Sequence, residues 1–210
     1  MKLKEYGFII KRFFPQKQKI SVISKQVGKI ELITNKSTKC HLYWPGMLIS
    51  FFPSKTKNFI YLAENIEIIS TIQNIQNLNF YWFCRLLEIC YYFVRLENPC
   101  TEIFFFLNNC MFLIENNFLY INKIHIIKKI YELKFLVLLG FYPSQEHCCY
   151  LDLYNNLTSL FIDFENKAKV KFLKNQLNKI NTENFKKLEV WINKCLNNHP
   201  YSKKFKTIKK

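Results

Sequence analysis

Arginine is almost absent from a strongly basic chain. Only Arg12, Arg85 and Arg95 occur among 210 residues that carry 31 Lys and Arg against 15 Asp and Glu, a formal charge of +16. A surface charged almost wholly by lysine attracts phosphate as point charges and has few planar forks for bidentate grips. Glycine is as scarce, with only Gly7, Gly28, Gly46 and Gly140. Neither a G-x-x-x-x-G-K-[ST] loop nor a G-x-G-x-x-G fingerprint can be written with these four, which excludes the common glycine-built nucleotide cradles. Long apolar runs are also missing. Arg85 and Glu88 interrupt Leu78 to Val94, and Asn108 and Asn109 interrupt Ile103 to Ile114. A bilayer span needs about 20 mostly apolar residues, so these stretches are expected as buried helices and no membrane partner is expected. The eight cysteines contain no C-x₂-C pair and are scattered without a dense framework. They predict reduced thiols in a cytoplasmic protein rather than a disulfide scaffold. The first residues, Met1 to Tyr6, carry no apolar h-region, so no secretory signal is expected.

What is present is half hydrophobic and long enough for one large or two small domains. Abundant Lys, Asn, Ile, Phe and Tyr read as the codon bias of an AT-rich genome, so the position of the positive charge carries more information than its total. From Tyr6 to about Ser70, short apolar runs alternate with turn formers. They predict five strands: Tyr6 to Phe13, Lys19 to Ser24, Lys29 to Thr34, Met47 to Phe52 and Phe59 to Ile69. Pro15, Gly28, Pro45-Gly46 and Pro53-Ser54 punctuate them. Ile20 and Val22, Ile30 and Leu32, then Met47, Ile49 and Phe51 recur at period two and are expected to face one core. Five strands in this length suit an OB-like or SH3-like barrel.

Beyond Ser70 the period becomes helical. Leu78 to Glu97 is apolar almost all round, as in the central helix of a bundle. Asn98-Pro99 reads as an N-cap with Pro at the first helical position of a helix reaching Glu115. A third helix is predicted from about Tyr120 to Leu139, with Ile124, Ile127, Tyr131, Phe135 and Leu138 on one face, and it stops at Gly140 and Pro143. Further helices are predicted over Lys167 to Ile180 and Thr182 to Asn197. The fold expected is α+β: an OB-like five-stranded barrel over residues 1–75, then an all-α helical domain over residues 76–210 with a basic tail.

Residues 1–75 hold twelve Lys or Arg against four Asp or Glu, interleaved with Phe13, Phe14, Tyr43, Trp44, Phe51 and Phe52. Lysines that track phosphates beside rings that stack bases suit single-stranded nucleic acid. The candidate DNA-binding residues are Lys11, Arg12, Phe14, Lys17, Lys19, Lys36, Lys39, Lys55 and Lys57, at predicted strand ends and turns. The last thirteen residues, from Asn198, add five lysines and no acid, as a basic arm or a solvated tail. His147-Cys148-Cys149 is the one metal-like motif. Adjacent cysteines ligate one ion awkwardly, and only Cys195 and His199 follow, so neither a metal nor any other cofactor is expected. Catalysis has little to rest on. Cys40 and His41 point to opposite faces if extended, His125 lies among isoleucines, and neither Glu64 with Glu67 nor Asp163 with Glu165 has a spacing that marks an acid and base pair.

The order of barrel, helices and Leu138-Leu139-Gly140-Phe141-Tyr142-Pro143 followed by cysteine resembles the RecO family of recombinational repair proteins. Leu86-Leu87-Glu88, Asn98-Pro99 with Phe104, Gly28-Lys29-Ile30 and Trp191 to Lys204 are similar to further segments of that family. Two features depart from it. The paired C-x₂-C sets of zinc-bearing members are absent, so zinc is not carried over. The turn rich in Gly and Arg after the third strand is replaced by Asn35-Lys36-Ser37-Thr38-Lys39, which keeps charge but loses arginine's bidentate grip. The resemblance implies a mediator and not an enzyme. Such a mediator binds single- and double-stranded DNA, anneals strands coated by single-strand-binding protein and, with RecR, assists RecA loading. Two alternatives remain: a non-catalytic helical interaction module whose barrel is only a scaffold, and a zinc-dependent nucleic-acid enzyme.

Overall fold

The computed structural model describes residues 3–13, 18–34, 43–56, 60–72, 78–115, 123–159, 171 and 175–204, exclusive of the side chains of Leu78 and Lys203. They form two compact units, divided between the second and third helices described below.

The first unit holds the expected barrel. Strands β1 (Glu5–Arg12), β2 (Lys19–Ser24), β3 (Gly28–Thr34), β4 (Leu48–Lys55) and β5 (Ile60–Ser70) close in the order β1-β2-β3-β5-β4. All neighbours are antiparallel except β3 and β5, which run parallel. Period-two alternation sends Ile20, Val22, Ile30, Leu32, Ile49 and Phe51 into a single core, with Met47 packed against it. β1 is buried on both faces, because its run Phe8-Ile9-Ile10 is apolar without alternation. Ile9 faces the barrel core, while the Phe8 ring meets Phe83 at 6.4 Å and Phe104 at 5.4 Å. Full burial of one such ring contributes about 2–3 kcal/mol.

Pro53 does not end its strand as expected. β4 continues through it to Lys55, paired with β5 through Pro53 and Ala63. Among the described residues, pairing with β1 covers only Leu48 to Phe51, so that edge of β4 carries no ladder bond at Pro53 for the missing N–H to break.

Two helices pack on β1 and β2: α1 (Leu78–Phe93) and α2 (Thr101–Glu115). Both expected boundaries shift. α1 ends at Phe93 and not at Glu97, because the segment after it runs beside β3: Leu96 bridges Lys29, and the Glu97 N–H donates to the Lys29 carbonyl at 2.8 Å. The buried Lys29 ammonium closes the helix by donating to the carbonyl of Tyr91 and, at 3.0 Å, to that of Val94. Asn98-Pro99 is not the start of α2. The carbonyl of Asn98 lies against Gly28, proline keeps its predecessor out of helical geometry, and the first helical bond runs from the Phe104 N–H to the Cys100 carbonyl. β5 ends at Ser70 and α1 begins at Leu78, but packing groups α1 and α2 with the barrel.

The second unit contains α3 (Ile124–Leu138), α4 (Cys148–Ser159) and α5 (Thr182–Asn197). Ile127, Tyr131 and Phe135 are buried on the expected face of α3, with Ile124 and Leu138 half-buried at its ends. The helix stop is a Schellman motif: Gly140 has φ 90, its N–H donates to Val137, and the Phe141 N–H reaches back to Leu136. Rings join the three helices, Tyr131 with Tyr154 at 4.9 Å and Tyr150 with Phe185 at 6.3 Å. α5 has its expected bounds, capped by the Asn181 side chain accepting from the Glu183 N–H. Half of the helix expected over Lys167 to Ile180 lies outside the described residues, with residues 171 and 175–178 helical. Among the described residues, no helix is long and apolar enough to cross a membrane.

Candidate nucleic-acid interface

A register shift in β1 between Ile9 and Lys11 prepares the basic end of the barrel. A bulge re-aims the side chains after it, and here it sets Lys11 opposite Ser21 and Arg12 opposite Ile20. The Lys11 ammonium lies 3.8 Å from the centroid of Tyr91, 5.1 Å from Phe13 and 5.9 Å from Tyr92. Lys19, at the start of β2, lies over the Phe13 ring at 4.6 Å and forms an ion pair with Glu31. The guanidinium of Arg12 stands 5.2 Å over Trp44, a residue that is 55% exposed. Cations held against aromatic faces in this way are attracted by the ring quadrupole at about 0.5–1 kcal/mol where exposed. They also keep positive charge beside flat apolar surface, the combination that a nucleotide's phosphate and base require.

Lys55 belongs to a different network. Its ammonium donates to Glu97 at 2.9 Å, and the Tyr61 hydroxyl donates to the other carboxylate oxygen at 2.7 Å. These hydrogen bonds hold the Glu97 carboxyl below its usual range and raise Lys55, while burial followed by the Glu97 contact raises Tyr61. Lys29 is pushed down, chiefly by burial.

Of the nine residues expected at the interface, Lys11 and Lys19 meet over one ring, Arg12 engages Trp44, and Lys55 is bound to Glu97. Phe14, Lys17, Lys36, Lys39 and Lys57 lie outside the described residues. Of the rings interleaved with the lysines, Tyr43 and Phe51 are buried in the core, Phe51 on the face that its phase with Ile49 predicts. The residues that sequence reasoning missed are Tyr91 and Tyr92. They lie in a helix whose apolar residues run almost all round, which hides the face presented to β1. The remaining clue was their polar hydroxyls at the end of that helix.

The other candidates do not assemble. His147 is buried in a 3-10 turn (Gln145–His147), while Cys148 and Cys149 are exposed in the first turn of α4. Among the described residues, no group of three His, Cys, Asp or Glu could hold a metal. His125 is exposed with its ring on Phe185 at 5.7 Å, and Glu67 is occupied by Lys4 at 2.8 Å and Ser50 at 3.1 Å. Cys40, His41, Asp163 and Glu165 lie outside the described residues.

Residues 78–165 match the family model described as Recombination protein O C terminal. Among curated proteins, none matches the chain. The matched stretch begins with α1, runs past α4 and includes Leu86-Leu87-Glu88, Asn98-Pro99 and Leu138 to Pro143. The matched helices carry the similarity to the RecO family of recombinational DNA repair proteins, and a closed five-stranded barrel of OB-like order precedes them.

Proposed function

We propose that this protein is a recombination mediator. It binds single- and double-stranded DNA, anneals complementary strands coated by single-strand-binding protein and, with RecR, assists the loading of RecA, acting in the cytoplasm. Residues 1–75 form the DNA-binding module and residues 76–210 the helical one. The observation that carries this reading is the gathering of Lys11, Arg12 and Lys19 against Phe13, Trp44 and Tyr91 at one end of the barrel. Ammonium groups release counterions from phosphate, and a basic surface that holds two strands lowers their mutual repulsion. Annealing makes and breaks no covalent bond, so the role needs no catalytic residue.

The test is annealing of complementary strands coated with single-strand-binding protein. The protein should accelerate it, and the double variant Lys11→Ala/Lys19→Ala should lose most of the acceleration. A second reading, in which the barrel is only a scaffold for a helical interaction module, draws support from the ion pairs Lys19–Glu31 and Lys55–Glu97, which already neutralise two of the expected contacts. Under that reading annealing proceeds at the uncatalysed rate.

A further inference from the structure

We infer that the last turn of α1 is part of the binding site and makes it a receptor for one unpaired nucleotide of a single strand. This rests on the DNA-binding reading and extends it from the barrel to a helix. Tyr91 and Tyr92 stand edge to face with ring centroids 5.0 Å apart, and Phe13 meets Tyr91 in the same manner at 6.2 Å. All three rings are half-buried, so each keeps surface toward solvent. The Lys11 ammonium lies among them, and Lys19 lies over Phe13. Three rings from a strand end and a helix end therefore surround the charge that a phosphate would meet.

The arrangement is fixed from beneath. Lys29, buried under the end of α1, donates to the backbone carbonyl of Tyr91 itself and to that of Val94, and its ammonium lies 4.7 Å from the Tyr91 ring. Tyr91 is thus held through its backbone by β3 and through its ring by cations from β1 and β3. Rings held in this way lose little conformational entropy when a ligand arrives. Lys29 acts as a positioning residue, since two of its donors are held by the carbonyls of Tyr91 and Val94.

The chemistry of the site selects the strand type. Phosphates are present on single and double strands alike, so Lys11 and Lys19 serve both. The π-face of a base is open only when the base is out of a duplex stack, so the rings contribute only to an unpaired nucleotide. Loss of a ring should therefore weaken single-strand binding and spare duplex binding.

The experiment is fluorescence anisotropy with a labelled thymidine oligonucleotide and a hairpin duplex containing the same number of phosphates. Tyr92→Leu, which keeps apolar bulk but removes the ring, is expected to weaken single-strand binding roughly 5- to 150-fold, the range for one stacked base, and to leave duplex binding within about twofold. Tyr92→Phe, which keeps the ring, should bind like the parent, and Lys11→Ala should weaken both ligands. Equal effects of Tyr92→Leu on both ligands, or no effect on either, overturn the inference while leaving DNA binding intact. Failure of the parent protein to bind either ligand overturns the DNA-binding reading itself. Circular dichroism of Tyr92→Leu separates loss of a ring from loss of the helix.

Discussion

Replacing Gly28 with alanine tests whether the seam between barrel and helix is built as described. Gly28 has φ 87, and a Cβ there would lie 1.8 Å from the carbonyl oxygen of Asn98 and 2.5 Å from its carbon. The left-handed conformation alone costs an L residue about 1–2 kcal/mol. The Asn98 backbone must also retreat from 1.8 Å to beyond 3.0 Å, and this pulls on the segment that hydrogen-bonds Glu97 to Lys29 and holds the Lys29 ammonium on Val94. Loss of one backbone bond costs about 1 kcal/mol, and stranding a buried carbonyl or ammonium costs about 1–3 more. The total is about 3–6 kcal/mol. Gly46 supplies the control within the same unit. Its φ is 96, yet a Cβ there would meet only the rings of Phe80 and Phe83 at 3.5 Å, an ordinary contact, so Gly46→Ala should cost the conformational part alone. In urea denaturation followed by circular dichroism, with a slope of about 2 kcal/mol/M, Gly28→Ala should lower the midpoint by roughly 1.5–3 M and Gly46→Ala by roughly 0.5–1 M. Equal midpoints for the two variants would refute the close approach at Gly28.

Glu97→Gln should release Lys55 to phosphate while the amide still accepts from Tyr61. DNA affinity is expected to rise by about two- to fivefold, with a salt slope steeper by about one phosphate contact, whereas Lys55→Ala in the parent should be nearly silent. Anisotropy titrations over a range of salt check both. The Glu97 and Glu67 carboxyls are held below their usual value of 4.5 by hydrogen bonds, first from Lys55 and from Lys4 respectively. A depressed folded value means that their stabilisation is present above pH 4.5 and is lost as pH falls through the folded value. Melting temperatures of the parent should therefore fall more steeply with acid than those of Glu97→Gln/Glu67→Gln, and parallel curves would contradict the two networks. Burial pushes Cys90 and Cys110 well above the usual thiol value and Cys84 and Cys100 up to about 11, while Cys148 is exposed. Alkylation at about pH 7.5 followed by peptide mass mapping should label Cys148 first and Cys90 and Cys110 only in denaturant.

The barrel was legible in the chain because alternation at period two is a local property. Ile20 and Val22, Ile30 and Leu32, and Ile49 and Phe51 declare their shared face without reference to any other part of the molecule. Gly140 was legible for the same reason, since a left-handed residue is needed wherever a helix closes in a Schellman motif. The start of α2 was misread because the contact that decides it is distant: Asn98 is placed by Gly28, seventy residues earlier in the chain. Pro53 was misread because the edge it occupies exists only once β1 has paired with part of β4.

The sequence by itself determined the fold class and the likeness to the RecO family over the helices, since periodicity and turn residues are written along the chain. Tertiary structure alone decided which carboxylates and which rings stand beside each charge. Lys55 is bound by Glu97 from beyond α1, Lys19 by Glu31 on a neighbouring strand, and Lys11 gains Tyr91 and Tyr92 from a helix some eighty residues away. Electrostatic and cation–π energies fall off within a few ångströms of the contact, so they depend on spatial neighbours that no local pattern records.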